Sequence, residues 1–254
     1  MPKRKKKKTT KNAMAKAKPK QRAVTFDEFK SFIRDNLCTC EYIEGGHLSP
    51  TFPTFDLMPR DYLAYANEAL ANSTDADKIN CIAHLKRAAE CQADTLLHIL
   101  SLSSHAKTRN FPCKMNTIGA LDLMPSRSIA ELNRVRNKME HEYAVPRIDD
   151  LNLYFDLVAG FVSAVEGAIF MLVCNGDMCF RNELDGANII VVRVEYRPQE
   201  PELICEMSDA AGNSICKVCP DDWHIWMESL RVFFLLCRYD RIISHEHFLK
   251  HLDR

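Results

Sequence analysis

An 18-residue apolar run, LVAGFVSAVEGAIFMLVC at residues 157–174, constrains the fold of this chain more than any other segment. It is long enough to cross a bilayer, but Glu166 falls at its middle, where a charge in lipid is costly. A helix that is apolar on all sides is equally expected at the centre of a soluble bundle. Because no other segment resembles a membrane span, we interpret this run as the core helix of a soluble protein with no membrane partner.

The charge of the chain is unevenly placed. The 254 residues contain 34 basic and 34 acidic side chains, yet residues 1–22 carry 11 Lys/Arg and no acid. Residues 23–254 therefore hold 23 basic against 34 acidic side chains, a net charge of −11. We interpret residues 1–22 as a disordered polybasic tail, because it lacks the apolar content that offsets ordering entropy. Such a tail suits a phosphate-rich partner, or it keeps the chain soluble or lies on the acidic body.

The cysteine content points to a reducing compartment. The chain has 11 cysteines, an odd number, and no apolar secretory segment follows the lysines of the tail. Several cysteines fall inside apolar runs, where Cys behaves as a small buried hydrophobe. We therefore expect free thiols in a cytoplasmic protein rather than a disulfide framework.

Helical periodicity covers most of the first 176 residues, and a period of two follows it. We predict helices at 24–36, 60–72, 76–102, 116–124, 128–144 and 149–175, strands at 187–197, 202–208 and 214–219, and helices at 221–238 and 243–253. The predicted fold class is mainly α. After the tail come N-terminal helices and a loop at 23–75, a helical bundle at 76–176, and a small α+β domain at 177–254 with a short antiparallel sheet.

The stretch RVRNKMEHEY, residues 134–143, carries the most distinctive polar pattern. Asn137 and His141 are one helical turn apart and share a face. Arg136 lies about 140° from His141 around the helix, beside the apolar stripe. An ordinary polar helix end explains these residues too: Arg136 could pair with Glu140, and His141 could interact with the helix dipole.

RNKMEH, residues 136–141, resembles the Arg-polar-x-x-x-His motif of the HEPN superfamily. The motif also lies where that family has it, near the end of the third bundle helix and before a long apolar fourth helix. The resemblance implies a HEPN-like helical bundle and a metal-independent endoribonuclease with RNA as its substrate and no cofactor. It assigns catalysis to Arg136, Asn137 and His141, and it implies a homodimer.

This chemistry agrees with the residue types. The 2′-hydroxyl of RNA supplies the nucleophile, and a histidine that titrates near neutrality can transfer its proton. An arginine stabilises the developing charge on the phosphate, leaving a 2′,3′-cyclic phosphate as the family's usual product. Because Arg136 and His141 diverge on one regular helix, a site shared across a two-fold axis would bring them together.

Further basic residues could line an RNA cleft: Lys86, Arg87, Arg134 and Lys138, with Glu90 able to support the motif. The expected settings are antiviral defence or a toxin-like role, with a regulatory protein partner. Many HEPN domains are not catalytic. The alternative is therefore a HEPN-like dimerisation module, or one that binds nucleotides or nucleic acid.

Metal and cofactor signals are weak. Cys216-x-x-Cys219 with His224, and Cys205 as a fourth ligand, could form a zinc site, but a strand end explains the same spacing. The sequence has no P-loop, dinucleotide fingerprint, HExxH or GxSxG motif. We therefore expect no metal and no cofactor.

Overall fold

The computed structural model describes residues 21–72, 74–124, 148–182, 189–239 and 241–254, with Glu131, Arg134 and Asn137 between them. Its α-helices are α1 Phe26–Asn36, α2 Pro59–Asn72, α3 Asp75–Ile99, α4 Phe111–Ala120, α5 Ile148–Cys174, α6 Trp223–Arg238 and α7 His245–Leu252. Its strands are β1 Arg22–Ala23, β2 Glu41–Gly46, β3 Asp177–Arg181, β4 Val191–Arg197, β5 Glu202–Asp209 and β6 Gly212–Val218. Short 3-10 helices occupy Leu37–Thr39 and Ala106–Thr108.

The six strands form a single mixed sheet in the order β1-β6-β5-β4-β3-β2. Strands β2 to β6 pair antiparallel, and β1 runs parallel to β6. The prediction of a short antiparallel sheet within residues 177–254 is confirmed in part: β3 to β6 pair antiparallel there, but β1 and β2, from the N-terminal part of the chain, make the sheet longer and mixed. Both are edge strands, whose side chains need not follow the regular apolar alternation of a half-buried strand.

The N-terminal strand and helix extend the sheet. Arg22 lies in β1, so the predicted tail ends too late: a boundary drawn from charge alone cannot detect strand pairing. The Thr25 side chain accepts a hydrogen bond from the Glu28 backbone, and the Glu28 carboxylate accepts one from the Thr25 backbone. This capping box starts α1, which packs on β5 and β6 with Phe29 and Ile33 fully buried.

Strand β2 was predicted to be part of a loop because its sequence, EYIEGG, is polar and ends in two glycines. Its register shifts between Tyr42 and Glu44, which is a β-bulge. A Cβ at Gly45 would lie 1.9 Å from the hydroxyl oxygen of Tyr42. Glycine at this position therefore leaves room for the Tyr42 side chain of the same strand.

The helices agree closely with the predictions, with one shifted start. Helix α4 begins at Phe111 rather than near residue 116, because the Asn110 side chain accepts a hydrogen bond from the Cys113 backbone. Pro112 lies inside the first turn, where a missing N–H costs nothing. Helix α5 ends at Cys174, as predicted, and the Asn175 side chain donates to the Met171 carbonyl.

The sheet and helices share one hydrophobic core. Helix α3 packs against α2 and α5, and α6 packs against α5, α7 and β6. Tyr196 of β4 connects these layers: its ring lies 6.2 Å from those of both Trp226 and Phe233 on α6. Its hydroxyl donates a 3.1 Å hydrogen bond to the Ile99 carbonyl at the end of α3.

Helix α5 contains the 18-residue apolar run at residues 157–174. Among the described helices, Asp150–Cys174 is the one that is long and apolar enough to cross a membrane. One such helix is weak evidence for a span, and α5 packs on α2, α3 and α6 as a core helix does. Within α5, Glu166 pairs with Arg60 of α2, so the charge of Glu166 is compensated within the fold. These features are consistent with a soluble protein.

Phe29→Ala should lower the free energy of unfolding by about 3–5 kcal/mol, because the side chain is fully buried between α1 and the sheet. The matched control is Phe52→Ala, whose side chain is 46% exposed and whose loss should cost under about 1 kcal/mol. Urea unfolding followed by circular dichroism and tryptophan fluorescence measures both. A loss at Phe29 no larger than that at Phe52 would show that α1 is not part of the core.

Candidate functional site

The RNKMEH motif is only partly within the described residues. Arg136, Lys138 and His141 lie outside them, so the structure does not test their predicted roles. Asn137 is helical and exposed, and Arg134, three residues earlier, is also helical and exposed. The predicted helix around the motif is thus supported at its described positions, with polar side chains facing solvent.

Arg134 already has a partner. Its Nε donates a 2.9 Å hydrogen bond to Glu131 Oε2, and a second guanidinium nitrogen donates to Glu131 Oε1. This two-point contact with Glu131 raises the pKa of Arg134. RNA would have to compete with Glu131 for this cation, so Arg134 is a weaker phosphate-binding candidate than its charge implies.

Three of the other predicted residues lie on α3. Lys86 and Glu90 are one turn apart and half-buried, whereas Arg87 is exposed. The helix therefore presents a cation to solvent and holds a carboxylate one turn from a lysine. This arrangement keeps Arg87 as the most accessible of the predicted phosphate-binding residues on α3.

The structure adds a histidine that sequence reasoning missed. His84, three residues before Arg87, lies beside two tyrosines of α2, with ring centroids 5.5 Å from Tyr65 and 6.4 Å from Tyr62. Tyr65 is 41% exposed. The signal available in the sequence was the helical spacing of His84 and Arg87, but nothing in it showed that α2 places aromatic rings there.

The surroundings of His84 disfavour its charged form. Burial, with the nearby charge of Arg87 as a second cause, lowers the pKa of His84 below its ordinary value. Its Nδ1 is buried and has no hydrogen-bond partner among the described residues. Since the unfolded chain binds this proton more readily, the contribution of His84 to stability falls as the pH drops from about 6.5 through its folded pKa.

The proposed zinc ligands are not assembled. Cys216 is buried in β6 opposite Cys205 of β5, whereas Cys219 and His224 are exposed. In the described part of the chain, no three His, Cys, Asp or Glu side chains are grouped so that they could hold a metal ion. The alternative explanation of a strand end is correct: β6 ends at Val218, immediately before Cys219.

Comparison with protein-family models, curated proteins and solved structures finds no match for this chain.

Arg87→Ala should raise the pKa of His84, because it removes the neighbouring positive charge. It should leave part of the depression in place, because burial is the larger cause. Titration of the imidazole signals by NMR measures the change. Arg87→Lys should preserve the wild-type value, and Arg109→Ala, at an exposed arginine elsewhere, serves as the control. An unchanged pKa in Arg87→Ala would exclude the electrostatic contribution.

Proposed function

We propose that the protein is a metal-independent endoribonuclease of the HEPN type. The observation that carries the proposal is the RNKMEH motif, which has an exposed helical Asn137 and directly precedes the long core helix α5. The helix order also supports the proposal. Helices α3 and α4 come before the helical motif positions and α5 follows them, which is the order of bundle helices that the resemblance implies. In this proposal the protein acts in the cytoplasm, in antiviral defence or as a toxin with a regulatory protein partner.

The proposed reaction uses the RNA's own 2′-hydroxyl as nucleophile. His141 takes the proton of that hydroxyl, the oxygen attacks the adjacent phosphorus, and the bond to the 5′-oxygen of the next nucleotide breaks as that oxygen takes a proton from water. His141 then returns its proton to the solvent. Arg136 stabilises the charge on the phosphate oxygens, and Asn137 orients the histidine or donates to the phosphate. The products are a 2′,3′-cyclic phosphate and a 5′-hydroxyl, and no metal ion takes part.

The face of α3 provides a second part of the proposed RNA interface. Arg87 is exposed for a phosphate contact, and Tyr65 beside His84 offers an aromatic surface on which a base can stack. Lys86 contributes a further cation on the same helix. These groups would contact the backbone and a base without reading sequence.

Arg136→Ala and His141→Ala should each slow RNA cleavage by at least about 100-fold, because each removes a group that acts on the reacting phosphate or proton. Wild-type cleavage should persist in EDTA and should leave cyclic phosphate ends. The assay follows a labelled structured RNA on a denaturing gel.

The matched controls are Arg109→Ala and His98→Ala, which change an exposed arginine and an exposed histidine outside the motif. Both should keep activity within about twofold of wild type. Equal cleavage by wild type and His141→Ala, or no cleavage by the wild type, would reject the catalytic proposal.

We further propose that the active enzyme is a homodimer with a site built from both subunits. The support is the ideal helix: two positions five residues apart, such as 136 and 141, are separated by about 140° around a regular helix, so one subunit would not aim both side chains at one phosphate.

A mixture of the two inactive variants tests this arrangement. Random reassociation of equal amounts of Arg136→Ala and His141→Ala gives about half heterodimers, each with one intact shared site, and so about a quarter of wild-type activity. A shared site therefore predicts recovered cleavage after mixing through a denaturation and refolding step. Absence of recovery, with dimers confirmed by sedimentation, would place both residues in one subunit's site.

A non-catalytic HEPN-like module, one that dimerises or binds nucleotides or nucleic acid, is the second candidate. The pairing of Arg134 with Glu131 and the net charge of −11 over residues 23–254 favour it, since both weaken RNA attraction near the motif. It predicts that wild type and His141→Ala bind RNA with equal affinity and that neither cleaves it.

A further inference from the structure

A groove of about 820 Å³ separates α4 from α6. Asn116 and Thr117 line it from one face of α4, and Trp223 and Arg231 line it from the start and middle of α6. Its volume lies within the range of small-molecule sites in proteins. Of the residues predicted to act on RNA, the described ones (Lys86, Arg87, Glu90, Arg134 and Asn137) are not among its lining residues.

The walls of the groove contain three cations: Lys107, Arg231 and Arg254. Arg231 is only 7% exposed, and its guanidinium donates to the backbone carbonyls of His251 and Leu252 rather than to a carboxylate. Carbonyl oxygens satisfy its hydrogen bonds without neutralising its charge. The buried arginine therefore brings a positive charge to the wall of the groove, where the nearby charges of Glu228, Asp122 and Asp253 partly offset it.

Of the two carboxylates in the walls, Glu228 pairs with Lys30, whereas Asp122 contacts His251, whose pKa is lowered mainly by burial. Asp122 Oδ2 lies 3.2 Å from His251 Nδ1, and Glu228 Oε1 accepts a 2.5 Å hydrogen bond from Lys30 Nζ. The acids are therefore partly screened from a ligand, whereas Lys107 is exposed at the groove. The exposed Lys107 thus gives the groove an accessible positive charge for an anion.

An aromatic ring stands beside this positive charge. Trp223 is half-buried and stacks on His105, with ring centroids 3.8 Å apart, and Lys107 Nζ lies 5.4 Å from the Trp223 ring centroid. The stacked imidazole holds the indole in place, and Asn116 on the opposite wall offers both a donor and an acceptor. A flat heterocycle carrying a phosphate matches these groups. Its ring can stack on Trp223, its polar edge can hydrogen-bond to the Asn116 amide, and its phosphate can contact Lys107 and the arginines.

We propose that the groove between α4 and α6 binds a nucleotide, with its base against Trp223 and its phosphate near Lys107 and Arg254. The nucleotide is either free in solution or the terminal nucleotide of an RNA, since both present the same base and phosphate. This inference does not rest on the proposed ribonuclease activity.

Tryptophan fluorescence tests the site directly. The chain has two tryptophans, and Trp226 is fully buried, so a ligand in the groove changes the emission of Trp223. The full-length His141→Ala variant is titrated with AMP, UMP, short single-stranded RNA with and without a 5′-phosphate, and inorganic phosphate. AMP or 5′-phosphorylated RNA should quench the emission, and inorganic phosphate should bind more weakly.

Lys107→Ala should weaken nucleotide binding about tenfold by removing a charge-assisted contact. Lys217→Ala, at an exposed lysine of β6, is the matched control and should bind as wild type. Calorimetry on Trp223→Leu should show a weakened affinity for AMP and an unchanged affinity for inorganic phosphate. Circular dichroism checks that each variant is folded.

The arms of the titration separate the outcomes. Quenching by AMP identifies a free nucleotide, and quenching by phosphorylated RNA alone identifies an RNA end; both support the site. Binding that is equal in Lys107→Ala and Lys217→Ala assigns the nucleotide to the polybasic tail and overturns the proposal. Absence of quenching at about 10 mM of every nucleotide ligand also overturns it. Unchanged RNA cleavage by Lys107→Ala would show that cleavage does not depend on the groove, so the failure of one proposal would not decide the other.

Discussion

The buried side chain of Tyr196 is the contact on which the arrangement of this protein depends. Its ring lies between the sheet and α6, and its hydroxyl reaches the last carbonyl of α3 at Ile99. Its backbone N–H donates a 2.8 Å hydrogen bond to the carbonyl of Gly176, just after α5. One residue therefore connects β4, the ends of α3 and α5, and α6. Burial raises the pKa of its phenol, so the hydroxyl remains a hydrogen-bond donor at neutral pH.

This connection places the functional candidates on two distinct helices of the same core. Helix α3 carries His84 and Arg87 on its solvent side, while α6 carries Trp223 and Arg231 toward the groove. In both places a cation lies beside an aromatic ring, but the surroundings differ. On α3, burial and then the charge of Arg87 lower the pKa of His84, whereas Arg231 is held by backbone carbonyls in the wall of the groove. The two regions therefore suit different parts of RNA or nucleotide recognition.

Much of the helical structure could be predicted because its signals are local. Periodic apolar residues located α1, α2, α3, α5 and α6 to within a few residues, and the period of two located β5 and β6, with a hairpin between them. There Gly212 adopts φ +129°, a conformation that L side chains rarely adopt. The errors in the predicted strands occurred where pairing with a strand distant in sequence overrides the local composition. Polar β2 becomes a strand through pairing with β3, and Arg22 joins β6 although composition places it in a charged tail.

The amino-acid sequence by itself determined the helical class, the free thiols of the described cysteines and the presence of a polar motif before the apolar helix α5. Each depends on spacing or composition within one segment. Only the tertiary structure decided that strands from both ends of the chain form one sheet, that Cys216 faces Cys205 away from His224, and that His84 meets Tyr65. It also decided that α4 and α6 leave a groove with a cationic wall. These features depend on which residues are packed together across long sequence separations, and no local pattern encodes that proximity.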